Sequence, residues 1–181
     1  MTRLQPIDPE TATGKTKELF HAVQGKLGAV PNMMRTMANS PAVLEGYLNL
    51  SGALSHGALN ARTGELLALA IGESNACDYC LSAHTYIGEK LLKTDPAVIE
   101  AARFGNSEDS KTKAILHFAK TLVSKNGLVN NEDVANAKSA GITDGEIAEI
   151  VAHVALNVLT NYFNNTANTE IDFPKVTALA N

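Results

Sequence analysis

Residues 60–84 read NARTGELLALAIGESNACDYCLSAH, and the way this stretch folds decides the rest. Asn60 is a good helix N-cap and the run after it is apolar on nearly every face, which predicts a helix over 61–74 at the centre of a core. Gly72, Ser74 and Asn75 then interrupt the pattern, because glycine and short polar side chains favour turns over helix interiors. A second helix is predicted from about Ala76 to Leu92, carrying Cys77, Cys80 and His84. On one straight helix Glu65 and Cys80 would stand ~22 Å apart. A break at 72–75 that folds the second helix back along the first removes that separation.

Outward from this hairpin, no run of alternating β-branched residues is long enough for a sheet, so the chain reads as all-α. Pro9 is expected to open a helix ending near Gly28, VPN at 30–32 turns into a short helix, and Ser40 with Pro41 starts one reaching about Gly57. Asp95 and Pro96 start a helix ending at Gly105, and NSEDSK makes a polar loop. Lys111 to Lys125 forms an amphipathic helix stopped by Asn126 and Gly127, and Asn131 to Ala140 gives a short one. Thr143 and Glu146 have capping-box spacing and open a long helix through EIAEIVAHVALNVLTNYFNN, with an irregular end around TEIDFP.

Two helix openings resemble each other. Setting Glu65 on Glu146 places Gly64 on Gly145 and Leu69 on Ile150, an offset of 81 residues, so the helical hairpin reads as duplicated. The second copy carries Val158 and Asn161 where the first carries Cys77 and Cys80, and only the first retains thiol chemistry.

The chain has 181 residues, enough for a sizeable core, and is read as a single domain over 1–181. Hydrophobic residues at 45% against 19% charged residues exclude a disordered chain. A net charge of −4 without clustered Lys and Arg argues against nucleic-acid binding. The N-terminus lacks the apolar run of a signal peptide and no stretch has the length of a membrane span, so a soluble, cytoplasmic protein with no membrane partner is expected. Two cysteines so close together would close only a small loop, which makes a poor structural staple. In a reducing compartment such a pair is more often catalytic or metal-binding.

On a helix, Cys77, Cys80 and His84 fall within about 60° of one another, so all three share a face. An imidazole one turn from Cys80 can take up its thiol proton, and the thiolate is the reactive form. The helix N-terminus favours a negative sulfur at Cys77, whereas the adjacent base favours Cys80. The assignment adopted is Cys80 attacking a peroxide and Cys77 resolving the sulfenic acid to a disulfide. Zinc is the chemical rival, with His56, His117 or His153 as a fourth ligand, but no second ligand couple has the spacing of a closed site. His117 and His153 sit among apolar residues and read as hydrogen-bonded core histidines. Glu73 reads as a solvated or turn-stabilising acid, Tyr79 and Tyr86 as pocket or packing residues, and the asparagines of TNYFNNTAN as helix-end caps or subunit contacts.

The pattern Glu65, eleven residues, Cys77-Asp78-Tyr79-Cys80, three residues, His84 resembles the core motif of alkylhydroperoxidase D and the wider carboxymuconolactone decarboxylase family. LGAVPNMMRTMANSPAVLEGYLNLSGAL and GEIAEIVAHVALNVLTNYFNNTANTEIDFP resemble the flanks of its peroxidase-related branch, extending the likeness over most of 15–174. The resemblance implies that Glu65 is a proton-relay glutamate, Cys77 and Cys80 a redox pair and His84 a relay histidine. It further implies an all-α fold of duplicated helical units, assembly as a trimer or hexamer, a hydroperoxide substrate, and an external dithiol or lipoylated protein as reductant. One departure is Tyr79, at a position where an alkylhydroperoxidase D of the family carries a second histidine. The expected function is a thiol-dependent peroxidase needing no cofactor or metal. The alternatives are a carboxymuconolactone decarboxylase-type enzyme, whose acid–base chemistry needs no disulfide, and a non-enzymatic redox-sensing protein.

Overall fold

The computed structural model describes residues 1–179; the last two residues of the domain expected over 1–181 lie outside the described part. Among the described residues there are nine α-helices and no strand: α1 Gly14–Leu27, α2 Asn32–Met37, α3 Pro41–Leu54, α4 Ala61–Ser74, α5 Asp78–Tyr86, α6 Pro96–Arg103, α7 Ser110–Ser124, α8 Asn131–Ser139 and α9 Asp144–Ala167. A π-helical turn, Ile87–Leu91, extends α5.

The central helix is the one expected. Asn60 caps it by accepting from the Thr63 N–H, and Leu67, Leu69, Ala70 and Ile71 are fully buried. α4 packs against α5, α6, α7 and α9 at once, which is why its apolar residues leave no polar face. Burying a leucine side chain contributes about 1.5–3 kcal/mol, so this helix is a main source of the fold's stability. One apolar cluster surrounds α4 with residues of α6 to α9. A second gathers Leu19, Phe20 and Val23 of α1, the three methionines of α2, Leu44 of α3, and both cysteines.

Two boundaries differ from the sequence expectation. α1 begins at Gly14 and not at Pro9, because Asp8 closes a turn there: its carboxylate accepts from the Glu10 N–H and its carbonyl from the Thr11 N–H. Proline is favoured at the second position of such a turn. α5 begins at Asp78, leaving Cys77 outside the helix as its N-cap.

The break between α4 and α5 is a Schellman arrangement. The Cys77 N–H donates to the Gly72 carbonyl and the Ala76 N–H to the Glu73 carbonyl, while Ala76 turns left-handed at φ 48°. The chain thereby reverses and lays α5 against α4.

α9 also opens on a side-chain cap, here part of a full capping box between Thr143 and Glu146, but continues unbroken for 24 residues. It ends where Asn168 turns left-handed. Beyond it the chain returns across α5. The Val176 N–H donates to Ser82 Oγ, the Ala178 N–H to Asp78 Oδ1 and the Leu179 N–H to Glu73 Oε1. Of the two roles expected for Glu73, a solvated or a turn-stabilising acid, the first is excluded: it is 6% exposed and its other oxygen meets Arg103 at 2.7 Å.

Candidate active site

The reversal at 74–77 brings His84 on α5 back beside Glu65 in the first turns of α4, with Nδ1 and Oε2 2.7 Å apart. Their side chains are 24% and 22% exposed, so the pair keeps contact with solvent. Burial lowers the imidazole's proton affinity, but the Glu65 charge and hydrogen bond outweigh it, and the net shift of His84 is upward. The arrangement therefore favours a proton held between the Glu65 carboxylate and the His84 imidazole.

One turn before His84, Cys77 and Cys80 stand at disulfide distance, 0% and 2% exposed. Each sulfur has its own donor. Cys77 Sγ accepts the Cys80 backbone N–H at 3.3 Å, the bond of an N-cap. Cys80 Sγ accepts Asn164 Nδ2 from α9 at 3.4 Å. Because Cys77 lies just outside the helix, it is held by its capping bond, while Cys80 and His84 remain on α5 one turn apart.

Around the sulfurs lie Met33, Met34 and Met37, with Tyr47 and Phe163 at the edge of the same cluster. Burial, reinforced by the nearby Glu65 charge, pushes the Tyr47 hydroxyl up to about 12. Tyr79 is buried, and its oxygen accepts the Met33 N–H at 3.1 Å. Burial pushes its ionisation up as well. Its ring packs edge-on against Phe173, which also touches the more exposed Tyr86. Both tyrosines are therefore packed against the C-terminal segment.

The two histidines read from the sequence as hydrogen-bonded core residues are not. His117 is exposed on α7. His153 is half-buried with Nε2 unpartnered, and burial lowers its proton affinity despite Glu149 and Glu65 nearby. Its ring lies over Gly64, where a Cβ would come within 3.4 Å of Cε1. For a zinc site, the geometry differs from the donor set considered: His84 is engaged with Glu65 and the sulfurs with each other. Among the described residues no group of three or more His, Cys, Asp or Glu could hold a metal ion.

The asparagines near the end of α9 have partners within the chain. Asn161 Oδ1 accepts from Asn75 Nδ2, and Asn165 Nδ2 donates to the Asn75 carbonyl, both at 2.9 Å. They pin the α4–α5 turn to α9. Asn168 alone ends the helix. Tyr47 was not singled out from the sequence, and Asn164 was read there only as one of the TNYFNNTAN asparagines, a helix-end cap or subunit contact. For Asn164 the available signal was its cost in a helix, where asparagine competes for backbone hydrogen bonds.

The model of the carboxymuconolactone decarboxylase family matches residues 41–121, which span α3 through most of α7 and so contain Glu65, both cysteines and His84. Among solved structures, the chain is similar to an alkylhydroperoxidase AhpD core, a peroxidase-related protein from Ralstonia eutropha JMP134, at 25% identity and TM-score 0.84, covering 94% of this chain and 92% of that one. A peroxidase-related protein from Silicibacter sp. TM1040 follows at 23% identity and TM-score 0.78, with 94% of each chain covered. The debrominase Bmp8, in complex with 2,3,4-tribromopyrrole, matches at 20% identity and TM-score 0.76 over 95% of this chain and 92% of that one; these last two likenesses concern the fold. No curated protein matches the sequence. Residues 41–121 thus match the carboxymuconolactone decarboxylase family model, and the chain as a whole has the alkylhydroperoxidase D-like helical fold.

Proposed function

We propose that the protein is a thiol-dependent peroxidase that reduces hydroperoxides through a Cys77/Cys80 dithiol–disulfide cycle, with Glu65 and His84 as proton relay. The observation that carries this reading is the 2.7 Å Glu65–His84 pair set one helical turn beyond a CxxC whose sulfurs stand at disulfide distance. The thiolate of Cys80 attacks the terminal oxygen of R–O–O–H: a sulfur–oxygen bond forms, the oxygen–oxygen bond breaks, and the departing alkoxide takes a proton from the Glu65–His84 pair. The sulfur loses two electrons to the peroxide. Cys77, as thiolate, then attacks the Cys80 sulfenic sulfur, forming the disulfide and releasing hydroxide, which is protonated to water. An external dithiol, free or on a lipoylated protein, returns the two electrons by exchange with the disulfide.

No organic cofactor or metal enters this cycle. The decarboxylase alternative is disfavoured by the paired thiols, which acid–base chemistry on a lactone acid does not require. The rest of the reading is a single domain, a cytoplasmic antioxidant role, no nucleic-acid or membrane partner, and a homo-oligomer, trimer or hexamer. In support of assembly, α9 presents Leu159 and Tyr162 to solvent at 42% and 58% exposure. Among the described residues no helix is long and apolar enough to cross a membrane.

Peroxide consumption with a dithiol reductant tests the cycle. Cys80→Ser is expected to abolish turnover. Cys77→Ser should allow a single oxidation of Cys80 that stops at the sulfenic or sulfinic stage, read by mass spectrometry. Turnover unchanged in both variants rejects the peroxidase reading; oxidation to the disulfide without catalytic turnover in the native protein favours redox sensing.

A further inference from the structure

α9 brings a carboxamide to one sulfur only. Asn164 is 2% exposed, in the last turn of α9 where asparagine is a poor helix former, and its side chain's one hydrogen bond among the described residues runs from Nδ2 to Cys80 Sγ at 3.4 Å. Its Oδ1 is buried without a partner. The neighbouring asparagines of α9 do other work: Asn161 holds Asn75, and Asn157 donates to the His153 carbonyl of its own helix. A buried amide that spends its donor on a sulfur and leaves its acceptor unsatisfied carries a desolvation cost that packing does not offset. A leucine would fill the place and suit the helix better.

We propose that Asn164 is a positioning residue that selects Cys80 over Cys77 as the attacking sulfur. A donor to sulfur stabilises the thiolate and not the thiol, and so lowers the proton affinity of the sulfur it reaches. Cys77 already has the N-cap bond from the Cys80 N–H, which the same rule makes favourable to its own thiolate. Without a second donor the helix end would favour Cys77. The Asn164 amide, added to the imidazole one turn away, tips the balance to Cys80 and keeps Cys77 as the resolving thiol. The unpartnered Oδ1 then offers an acceptor to the S–OH formed at Cys80, orienting it while Cys77 attacks. This rests on the peroxidase reading for its purpose, though not for its physical content.

The test is residue-resolved thiol titration of the fully reduced protein. Each cysteine's alkylation rate by iodoacetamide is followed against pH with mass-spectrometric mapping, in the native chain, Asn164→Leu and Asn164→Ala. Leucine keeps the branched side-chain shape and favours the helix, so the comparison survives if the alanine variant folds poorly. The native chain should show Cys80 reacting as the more acidic thiol. In both variants the Cys80 profile should move to higher pH, slowing its alkylation near neutrality about tenfold, while that of Cys77 changes less than about twofold. An unchanged Cys80 profile, a shift to lower pH, or equal shifts at both cysteines overturns the proposal. If the profile moves as expected but the native protein consumes no peroxide, the peroxidase reading falls and this one stands. If Cys80→Ser abolishes peroxide turnover while the Cys80 profile ignores residue 164, the reverse holds.

Discussion

The α4–α5 hairpin and α9 begin with the same device and end as different objects. Both open with a capping side chain that accepts the N–H three residues on, have a Gly-Glu pair within the first two turns, and continue as an apolar helix. Gly72, Ser74 and Asn75 of the first correspond to His153, Ala155 and Leu156 of the second. With breakers at those places, the first segment reverses through Ala76 and carries Cys80 and His84 back along α4. With helix formers, the second runs straight and delivers Asn161, Asn164 and Asn165 to the reversed segment. One sequence pattern thus yields a site-bearing hairpin and a rod that braces it, and the deciding difference lies in a few residues at the turn.

The chemical product of the reversal is the Glu65–His84 pair, and removing it should have the largest effect. Glu65→Gln keeps shape and a hydrogen-bonding group but deletes the charge that raises the His84 proton affinity. Burial then dominates and the shift should change sign, from above to below the ordinary value of about 6.5. NMR titration of His84 checks this directly. Peroxide turnover should fall by about 10²- to 10⁴-fold, the usual contribution of a positioned acid–base group. Stability carries the same signature. In the native chain the His84 contribution is fully present below about 6.5 and is lost as pH rises through the higher folded value. In the glutamine variant the contribution is present above about 6.5 and is lost as pH falls through the lowered folded value. Urea denaturation on both sides of neutrality distinguishes these; an unmoved His84 titration would mean the pair is not coupled.

Much of this comparison was legible in the sequence because it rests on local chemistry. Capping residues, breakers and an unbroken apolar run fixed α4, α9 and the reversal between α4 and α5, since each depends on neighbours within one or two turns. The proximity of Glu65 to His84 was legible as soon as the reversal was. What could not be read was anything set by packing between distant segments. Glu73 looks solvated until Arg103 and the Leu179 N–H close on it. His117 and His153 have apolar neighbours in sequence, yet helix rotation exposes one and sets the other over Gly64. Asn164 meets Cys80 across 84 positions of sequence, and no local rule signals such a contact. Cys77 escaped the helix because the reversal needed one more residue than the breakers themselves suggest.

The brace can be removed without touching the chemistry. Asn75→Leu places in the turn the residue that α9 has at the corresponding position. It removes the bond from Asn75 Nδ2 and leaves Asn161 Oδ1 without its donor in a fully buried setting. A stranded buried acceptor costs about 1–3 kcal/mol, so the urea midpoint should drop by an amount equivalent to about 2 kcal/mol. The bond from Asn165 to the residue-75 carbonyl involves only backbone at that end and should persist. Loss of much less than about 1 kcal/mol would show that α9 does not brace the turn through this side chain.

The smallest effect belongs to Ala76, the residue that performs the reversal. It sits at φ 48°, where an L side chain is strained by about 1–2 kcal/mol and glycine is not. Ala76→Gly relieves that strain but loosens the unfolded chain, which costs about 0.4–1 kcal/mol. The two effects leave a net stabilisation of up to about 1.6 kcal/mol, measurable as a higher urea midpoint with an unchanged slope. The corresponding residue of α9, Asn157, lies within a continuous helix, and there glycine has no strain to relieve. Asn157→Gly should therefore destabilise, by about 0.3 kcal/mol through helix propensity and further through loss of the Asn157 Nδ2 bond to the His153 carbonyl. Opposite signs for the same residue introduced at two corresponding places would separate the turn from the rod by a single measurement; equal signs would mean that Ala76 is not the pivot.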